Sequence, residues 1–233
     1  MTDFHTHLLP KIDDGSKSLE ETVKMLSKSA ESGVTRVIAT PHFNANRWSV
    51  EDFVKTRARV YKAVEEVLTP EMPEIRLGAE VRYYEGISRL EDLRNLCIEG
   101  TNLLLLEMPV DKWSVFAKKE LSELSCRGDL RLVLAHIDRY LGYQSIETFA
   151  ELSGQGVLMQ LNSEAFTSFF MRGKALKMLA SGMVQFIGTD CHDLGRRSPN
   201  MDKALAVIEK KLGAGYVHEL KKIGNSLFLN DNI

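Results

Sequence analysis

The chain has 233 residues, of which 44% are apolar, and its 30 lysines and arginines nearly balance its 32 aspartates and glutamates. This length suits one large domain, and the balanced charge excludes a broad basic face that would recruit nucleic acid or acidic lipid. The three cysteines have no C-x-x-C spacing, which excludes a disulfide scaffold and a thiolate zinc site.

The apolar segments are too short for a membrane protein. No stretch approaches the roughly 18 apolar residues of a membrane span. The segment MTDFHTHLLPKIDDG, residues 1–15, carries polar groups where a signal peptide needs an apolar run. We therefore expect a cytoplasmic protein that does not insert into a membrane and has no nucleic-acid partner.

Short apolar segments alternate with amphipathic ones along the chain. Residues 103–106 (LLLL) and 132–135 (LVLA) are apolar at consecutive positions, which is typical of parallel strands with both faces buried. Seven strands are predicted, over Asp3–His5, Thr35–Thr40, Ile75–Glu80, Asn102–Glu107, Arg131–His136, Val157–Asn162 and Val184–Thr189.

Helix start signals lie between the strands. Ser18 precedes Glu21 in a capping-box pattern, and this helix is predicted to stop at Gly33. Ser49 is predicted to open a second helix. Further helices are predicted near residues 113–126, 144–153, 165–181 and 201–222.

This alternation predicts an α/β fold with a single closed or nearly closed β/α barrel. The alternative is an open doubly wound sheet, which usually binds ligands at one switch point. A barrel is favoured because six of the seven strand ends carry a candidate ligand, and the carboxyl ends of barrel strands converge on one face.

Histidines and carboxylates recur at or just beyond these strand ends. Imidazole and carboxylate together accommodate Mn, Fe or Zn, so their convergence predicts a polynuclear metal site. His7 adds a further imidazole, because side chains two apart in a strand share a face. The residues at strand ends are His5, His42, Glu80, Glu107, His136, Asp190 and His192.

The order of these motifs resembles the PHP (polymerase and histidinol phosphatase) superfamily of metal-dependent phosphoesterases. The shared features are H-x-H at 5–7, PH at 41–42, GAE at 78–80, AH at 135–136 and TDCH at 189–192. The segments FHTHLLPKIDDGSKS, LAHIDRY and GTDCHDLGRRSPNM look like its branch of bacterial capsule-biosynthesis protein-tyrosine phosphatases, the CpsB/CapC type. The resemblance extends from Asp3 to the tail SLFLNDN.

The resemblance implies a distorted (β/α)7 TIM-like barrel, as one domain over residues 1–233, with a trinuclear site. Manganese is the implied metal, although iron or zinc would also suit the ligands. Asp14 is favoured over its neighbour Asp13 as a ligand. The implied ligand sets are His5, His7, Glu80 and Asp190 for one ion, Glu80 (bridging), Glu107 and His136 for the second, and Asp14, His42 and His192 for the third.

The same resemblance implies hydrolysis of phosphotyrosine by a metal-activated hydroxide, without a phosphocysteine. The implied substrate is a phosphotyrosine-bearing protein, a bacterial tyrosine autokinase that regulates capsule or exopolysaccharide synthesis. Arg139 and Arg197 are expected to clamp the phosphoryl oxygens, and Arg196 could exchange roles with Arg197. Two alternatives stay open: a small-molecule phosphatase of the histidinol-phosphate type, and a non-catalytic metal-binding regulatory module.

Overall fold

All seven predicted strands are present in the computed structural model, which describes residues 1–229. The strand predicted over Ile75–Glu80 is interrupted at Gly78-Ala79, and a short strand that was not predicted follows the second one after Thr40-Pro41, so that nine strand segments result. Pro41 has no N–H to donate to the ladder, which accounts for the break before this short strand. The strands are β1 Thr2–Thr6, β2 Arg36–Ala39, β3 His42–Phe43, β4 Glu74–Leu77, β5 Glu80–Arg82, β6 Leu103–Glu107, β7 Arg131–Leu134, β8 Leu158–Asn162 and β9 Phe186–Gly188.

Every strand pairing is parallel, in the orders β1-β2-β4 and β3-β5-β6-β7-β8-β9. The chain itself joins the two sheets, since β2 leads through Thr40-Pro41 into β3 and β4 leads through Gly78-Ala79 into β5. On the other side, Asp190 N donates to His5 O over 2.8 Å, which ties the segment after β9 to β1. The strands thus curl into a distorted barrel, which confirms the predicted fold class and makes the open-sheet alternative wrong.

The helices pack around this ring and begin where the sequence predicts. The hydroxyl of Ser18 accepts a hydrogen bond from Glu21 N, and that of Ser49 accepts one from Asp52 N. The segment predicted as one helix over 201–222 is divided at Gly213, whose φ of 101° an L side chain would rarely adopt. The helices are α1 Leu19–Glu31, α2 Val50–Glu65, α3 Val115–Ser125, α4 Ile146–Gly154, α5 Ser163–Thr167, α6 Arg172–Ala180, α7 Met201–Leu212 and α8 Ala214–Leu229.

The predicted helix over 165–181 also forms as two helices, α5 and α6. Within residues 1–229, no helix is long and apolar enough to cross a bilayer. The last four residues of the predicted domain, 230–233, lie outside the described residues, and so does the end of the SLFLNDN segment.

Alternate residues of the strands fill the ring with an apolar cluster. Leu103 and Leu105 belong to this cluster, whereas Leu104 and Leu106 pack into the second cluster that contains residues of the surrounding helices. The rings of Phe4 and Phe186 stack 3.9 Å apart inside the ring. This division explains why β6 is apolar at consecutive positions.

Polar side chains begin where this apolar floor ends. On β8, the alternate residues run from Leu158 through Gln160 to Asn162, and all three are buried. On the neighbouring chain segment, Phe186 of β9 is followed after four residues by Asp190. The carboxyl end of the barrel is therefore lined by polar side chains, which lie above the apolar interior.

Candidate metal centre

Every predicted ligand lies in or just beyond the carboxyl end of a strand, or in the loop after β1. The pairing register of β1 and β2 shifts between Asp3 and Thr6, the part of β1 that contains the buried His5. Gly188 makes room for it, because a Cβ there would lie 2.4 Å from the Cβ of His5. The absence of a side chain at Gly188 thus lets β1 and β9 lie close enough to share a site.

Three overlapping groups of ligand atoms lie within 4.8 Å of one another. The first group is the predicted first set, unchanged, and the second group is the predicted third set with His7 added. In the third group, His42 stands with Glu80 and Glu107, where His136 was predicted. His136 nevertheless lies close to both carboxylates, with its Nε2 2.7 Å from Glu80 and 3.7 Å from Glu107. The groups are His5, His7, Glu80 and Asp190; His7, Asp14, His42 and His192; and His42, Glu80 and Glu107.

Hydrogen bonds orient three of the imidazoles. Nδ1 of His5 lies 3.2 Å from Gln160 Oε1, and Nδ1 of His7 lies 2.7 Å from Asp13 Oδ2. Nδ1 of His192 lies 2.9 Å from a backbone carbonyl. Because each Nδ1 faces an acceptor, the proton of the neutral ring belongs on Nδ1, which leaves the Nε2 lone pair free for a cation.

Several buried atoms of the centre have no hydrogen-bond partner among residues 1–229. They include Glu80 Oε2 and His192 Nε2. Glu80 Oε2 lies 3.1 Å from Nε2 of His5 and 3.2 Å from Nε2 of His7, although lone pairs face each other across these gaps. A buried polar atom without a partner costs about 1–3 kcal/mol. Cations held by the groups that contain Glu80 and His192 would give these atoms partners, so the donor set fits divalent metal ions.

The charges of the centre also favour a cation. Burial by itself would raise the pKa of Glu80, but the surrounding imidazoles, His5 first, hold that pKa well below its usual range. Burial would lower the pKa of His7, yet hydrogen bonds to Asp13, Asp190 and Glu80 raise it well above normal. The field that draws a proton to His7 would draw a metal ion equally well.

Two ligands have strained backbones. His136 has a φ of 31° and Asp190 a φ of 52°, in the left-handed region that non-glycine residues rarely occupy. Such conformations cost about 1–3 kcal/mol each and persist where the surrounding structure enforces them. Their coincidence in one centre is typical of a functional site.

The adjacent aspartates Asp13 and Asp14 have different environments. Asp13 is buried, and its carboxylate accepts hydrogen bonds from the backbone N–H groups of Gly15 and His42, each over 2.9 Å. Asp14 is 68% exposed, and its Oδ1 lies 3.5 Å from Nε2 of both His42 and His192. This geometry suits Asp14 as a ligand and Asp13 as a residue that orients His7.

Both predicted clamp arginines contact the centre. Arg139 donates to Asp190 Oδ2, and Nη2 of Arg197 lies 2.7 Å from Asp190 Oδ1. About a third of each side chain is exposed, 34% for Arg139 and 33% for Arg197. Arg196 is exposed on the same loop. Arg197, not Arg196, therefore has the position that the clamp requires.

The model of a family described as capsular polysaccharide synthesis, CpsB/CapC, matches residues 1–228. The chain belongs to the CpsB/CapC family. CapC of Staphylococcus aureus is 31% identical over 244 residues, which cover 100% of this chain and 93% of the relative. Tyrosine-protein phosphatase YwqE of Bacillus subtilis is 24% identical over 239 residues, covering 100% of this chain and 93% of YwqE.

Solved structures share the fold of this family member. The crystal structure that describes YwqE of Bacillus subtilis and CpsB of Streptococcus pneumoniae as metal-dependent tyrosine phosphatases matches with a TM-score of 0.85 at 22% identity, covering 100% of this chain and 96% of the other. The structure of hisK from Listeria monocytogenes matches with a TM-score of 0.50 at 15% identity, covering 84% of this chain and 98% of hisK. At these identities the likeness concerns the fold.

One sequence feature of this CpsB/CapC family member points to a different chemistry. The segment CHDLGRR places Cys191 six residues before Arg197, the C-x5-R spacing of thiol-dependent tyrosine phosphatases. Burial raises the pKa of the Cys191 thiol to about 12, and its side chain packs into the apolar core. A thiol in this state is not a nucleophile at neutral pH, because thiolate is the reactive form.

Sequence reasoning missed Gln160, which connects several parts of the centre. Its Oε1 accepts a hydrogen bond from His136 N over 2.6 Å and faces His5, while its Nε2 donates to Asn162 over 3.1 Å. The available signal was a single glutamine inside the buried strand LMQLN, since a buried amide must find partners. Asn162 in turn donates to Asp190 Oδ2 over 3.2 Å.

Proposed function

We propose that this protein is a metal-dependent protein-tyrosine phosphatase. The observation that carries the proposal is the presence of three overlapping groups of imidazole nitrogens and carboxylate oxygens, each with its own atoms within 4.8 Å of one another, and of two arginines beside them. Membership of the CpsB/CapC family supports the substrate, because relatives in it are named tyrosine-protein phosphatases. We propose manganese as the metal and, as the unit of function, one domain over 1–233.

Divalent ions bound here would neutralise phosphoryl oxygens and supply hydroxide near neutral pH. His5, His7 and Asp190 would hold one ion, and Glu80 would bridge to a second. The residues of the chain contribute orientation as well, since Gln160 and Asp13 fix which nitrogen each imidazole presents. The remaining proposed ligands are Asp14, His42, Glu107, His136 and His192.

The arginines would bind the phosphoryl group. A guanidinium presents two N–H groups in a fork that matches two phosphoryl oxygens, and it stays charged at any physiological pH. Arg139 and Arg197 are each about a third exposed and contact Asp190, so both side chains would be able to turn from Asp190 toward a substrate phosphate. This arrangement stabilises negative charge on the phosphoryl oxygens.

The proposed partner is a cytoplasmic phosphotyrosine-bearing protein, a tyrosine autokinase that controls capsule synthesis. The capsular-polysaccharide description of the family supports this choice. The site also opens toward solvent, since Asp14 is 68% and His42 29% exposed, and a folded partner needs such access. A small-molecule phosphatase of the histidinol-phosphate type would enclose its substrate.

A substrate panel tests the proposed function. Free phosphotyrosine, a phosphotyrosine peptide, phosphoserine and histidinol phosphate would be compared with the purified full chain in the presence of manganese. We expect kcat/KM to be at least about tenfold higher for the phosphotyrosine substrates than for the others, because the phenolate of tyrosine, with a pKa of about 10, is a better leaving group than an alkoxide. Preferential hydrolysis of histidinol phosphate would contradict the proposal, and no turnover at all would favour a non-catalytic module.

Removal of either clamp arginine is expected to slow turnover without emptying the centre. Arg139→Ala and Arg197→Ala should each lower kcat about a hundredfold, because each removes one preorganised charge from the phosphoryl oxygens. Metal content, measured by inductively coupled plasma mass spectrometry, should stay near that of the wild type. Full activity in both variants would show that neither arginine binds the phosphate.

Cys191→Ala is the matched control, since it removes the other half of the C-x5-R spacing. A buried free cysteine behaves as a small apolar residue, so we expect kcat to stay within about threefold of the wild type. If Cys191→Ala abolished turnover while the metal content stayed unchanged, a thiol mechanism would replace the metal-dependent one.

A further inference from the structure

A cleft of about 270 Å³ adjoins the metal centre and extends away from it. One wall consists of Asp13, Asp14 and His42, which belong to the centre or support it. The remaining wall has another chemistry and no part in the reaction described above. It consists of Asn44, Arg47, Trp48 and Arg82.

The two arginines of this wall carry largely uncompensated charge. Within residues 1–229, Arg47 has no carboxylate partner within 4.0 Å, and its guanidinium lies 5.2 Å from the ring centroid of Trp48. Arg82 is 67% exposed and approaches one carboxylate, Glu107, at 3.9 Å. Because Glu107 also borders the metal centre, a bound cation would take up much of its charge. The wall then presents two free positive groups.

The wall is held in place by ordered structure. Arg82 belongs to β5, two residues after Glu80, so the strand that supplies a metal ligand also fixes the position of Arg82. Arg47 lies in a turn closed by hydrogen bonds from Arg47 N and Trp48 N to Asn44 O, over 2.9 and 3.0 Å. Trp48 packs edge-on against Phe53 at 6.2 Å, which anchors that turn to α2.

We infer that this wall, Arg47 with Arg82, is a subsite for an acidic side chain that flanks the phosphotyrosine in the substrate. The inference rests on the proposed function and adds a sequence preference to it. One end of the cleft is the metal centre, so a peptide with its phosphate there can extend along the cleft. Residues are spaced about 3.3–3.6 Å apart in an extended chain, so a glutamate one to three positions away can reach the arginines.

A neutral or basic flanking residue would lose this attraction, and a basic one would be repelled. The charges are exposed, so each ion pair is worth little, and an acidic flank should raise kcat/KM about threefold to tenfold over an alanine flank. The preference should shrink when the salt concentration rises from about 50 mM to about 500 mM, because exposed charges are screened.

Matched phosphotyrosine peptides test the inference. Glutamate, alanine or lysine would occupy the three positions before the phosphotyrosine in one set and the three positions after it in another. The readout is the ratio of kcat/KM between the glutamate and alanine peptides of each enzyme, so that any effect of a substitution on the reaction itself cancels. We expect one of the two sets, at least, to give a ratio above about three with the wild type.

The double variant Arg47→Glu/Arg82→Glu should invert the preference toward the lysine peptides. Arg59→Glu, an exposed arginine on α2, is the matched control and should retain the wild-type ratio. If the double variant unfolded at a lower temperature than the wild type, Arg47→Gln and Arg82→Gln would be measured singly. Each should lower the glutamate-to-alanine ratio of kcat/KM. A ratio near one in both wild-type sets, or a ratio insensitive to these substitutions, would overturn the subsite while leaving phosphotyrosine hydrolysis intact. No hydrolysis of free phosphotyrosine would overturn the proposed function and the subsite with it.

Discussion

Asp190→Ala is expected to lower kcat by at least about a thousandfold, since metal ions supply several kcal/mol of charge stabilisation and 1.36 kcal/mol is a factor of ten. Asp190 Oδ1 lies 3.6 Å from Nε2 of His5 and 3.4 Å from Nε2 of His7, at the middle of the centre. It also accepts a hydrogen bond from Arg139 and forms an ion pair with Arg197. One substitution therefore removes a ligand and the group that orients the clamp.

Three measurements separate a chemical effect from unfolding. The metal content should fall below that of the wild type, kcat should drop, and thermal unfolding should still be cooperative. Asp190→Asn keeps the shape without the charge and should lose nearly as much activity. Asp202→Ala, which removes an exposed carboxylate from the first turn of α7, should change neither the metal content nor kcat. Full metal content with at least about a tenth of the activity in Asp190→Ala would contradict the assignment.

The positions of the proposed metal ligands could be predicted because parallel strands impose a rule. Their carboxyl ends meet at one face, so a histidine or carboxylate at each end implies a common site. The side chains of His5, Glu80 and Asp190 are near one another although the residues are far apart in sequence. Apolar runs such as 103–106 made the strands recognisable, and the serines at 18 and 49 marked two helix starts.

Details that depend on loop conformation could not be predicted. Asp13 and Asp14 are chemically identical, and only the folded turn buries one and exposes the other. Gly15 permits that turn, since a Cβ there would lie 2.1 Å from the carbonyl oxygen of His7. Pro41 marks the break at 40–41 in the sequence, but the two-residue strand β3 that follows it has no period to detect, and the break at 78–79 leaves only a weak trace.

The roles of Arg197 and Cys191 show why spacing alone is ambiguous. The same seven residues fit a thiol-dependent loop and a metal-centre loop. The fold separates these interpretations, because it buries the thiol in the core and brings the guanidinium to Asp190. Burial is a property of the packed chain, so this distinction required the structure.

Removal of the metal ions is expected to abolish turnover, with a loss of at least about a thousandfold that manganese restores. Chelation should also lower the melting temperature by about 5–10 °C, because a ligand at a hundred times its dissociation constant contributes about 2.7 kcal/mol. The physical reason is that a bound cation would interact with Glu80 Oε2 and with Nε2 of His5 and His7, which lie 3.1 and 3.2 Å from that oxygen, and this binding free energy is lost on chelation. Asp190→Ala, with a weakened site, should show a smaller thermal shift.

The stability of the metal-free protein should depend on pH in a predictable direction. Net interactions with the carboxylates raise the pKa of His5 and of His7 above their usual values, despite burial. A histidine whose folded-state pKa is raised contributes stability that is fully present below its unfolded pKa of about 6.5 and is lost as the pH rises through the folded-state pKa. Metal ions need the deprotonated rings and bind them better at high pH. The difference in melting temperature between metal-loaded and metal-free protein should therefore widen from about pH 6 to about pH 8.5. A difference that stayed constant or narrowed over this range would mean that His5 and His7 do not hold the metal.

Proton uptake on chelation, measured calorimetrically, is expected from the same two rings, and its absence would contradict their role as ligands.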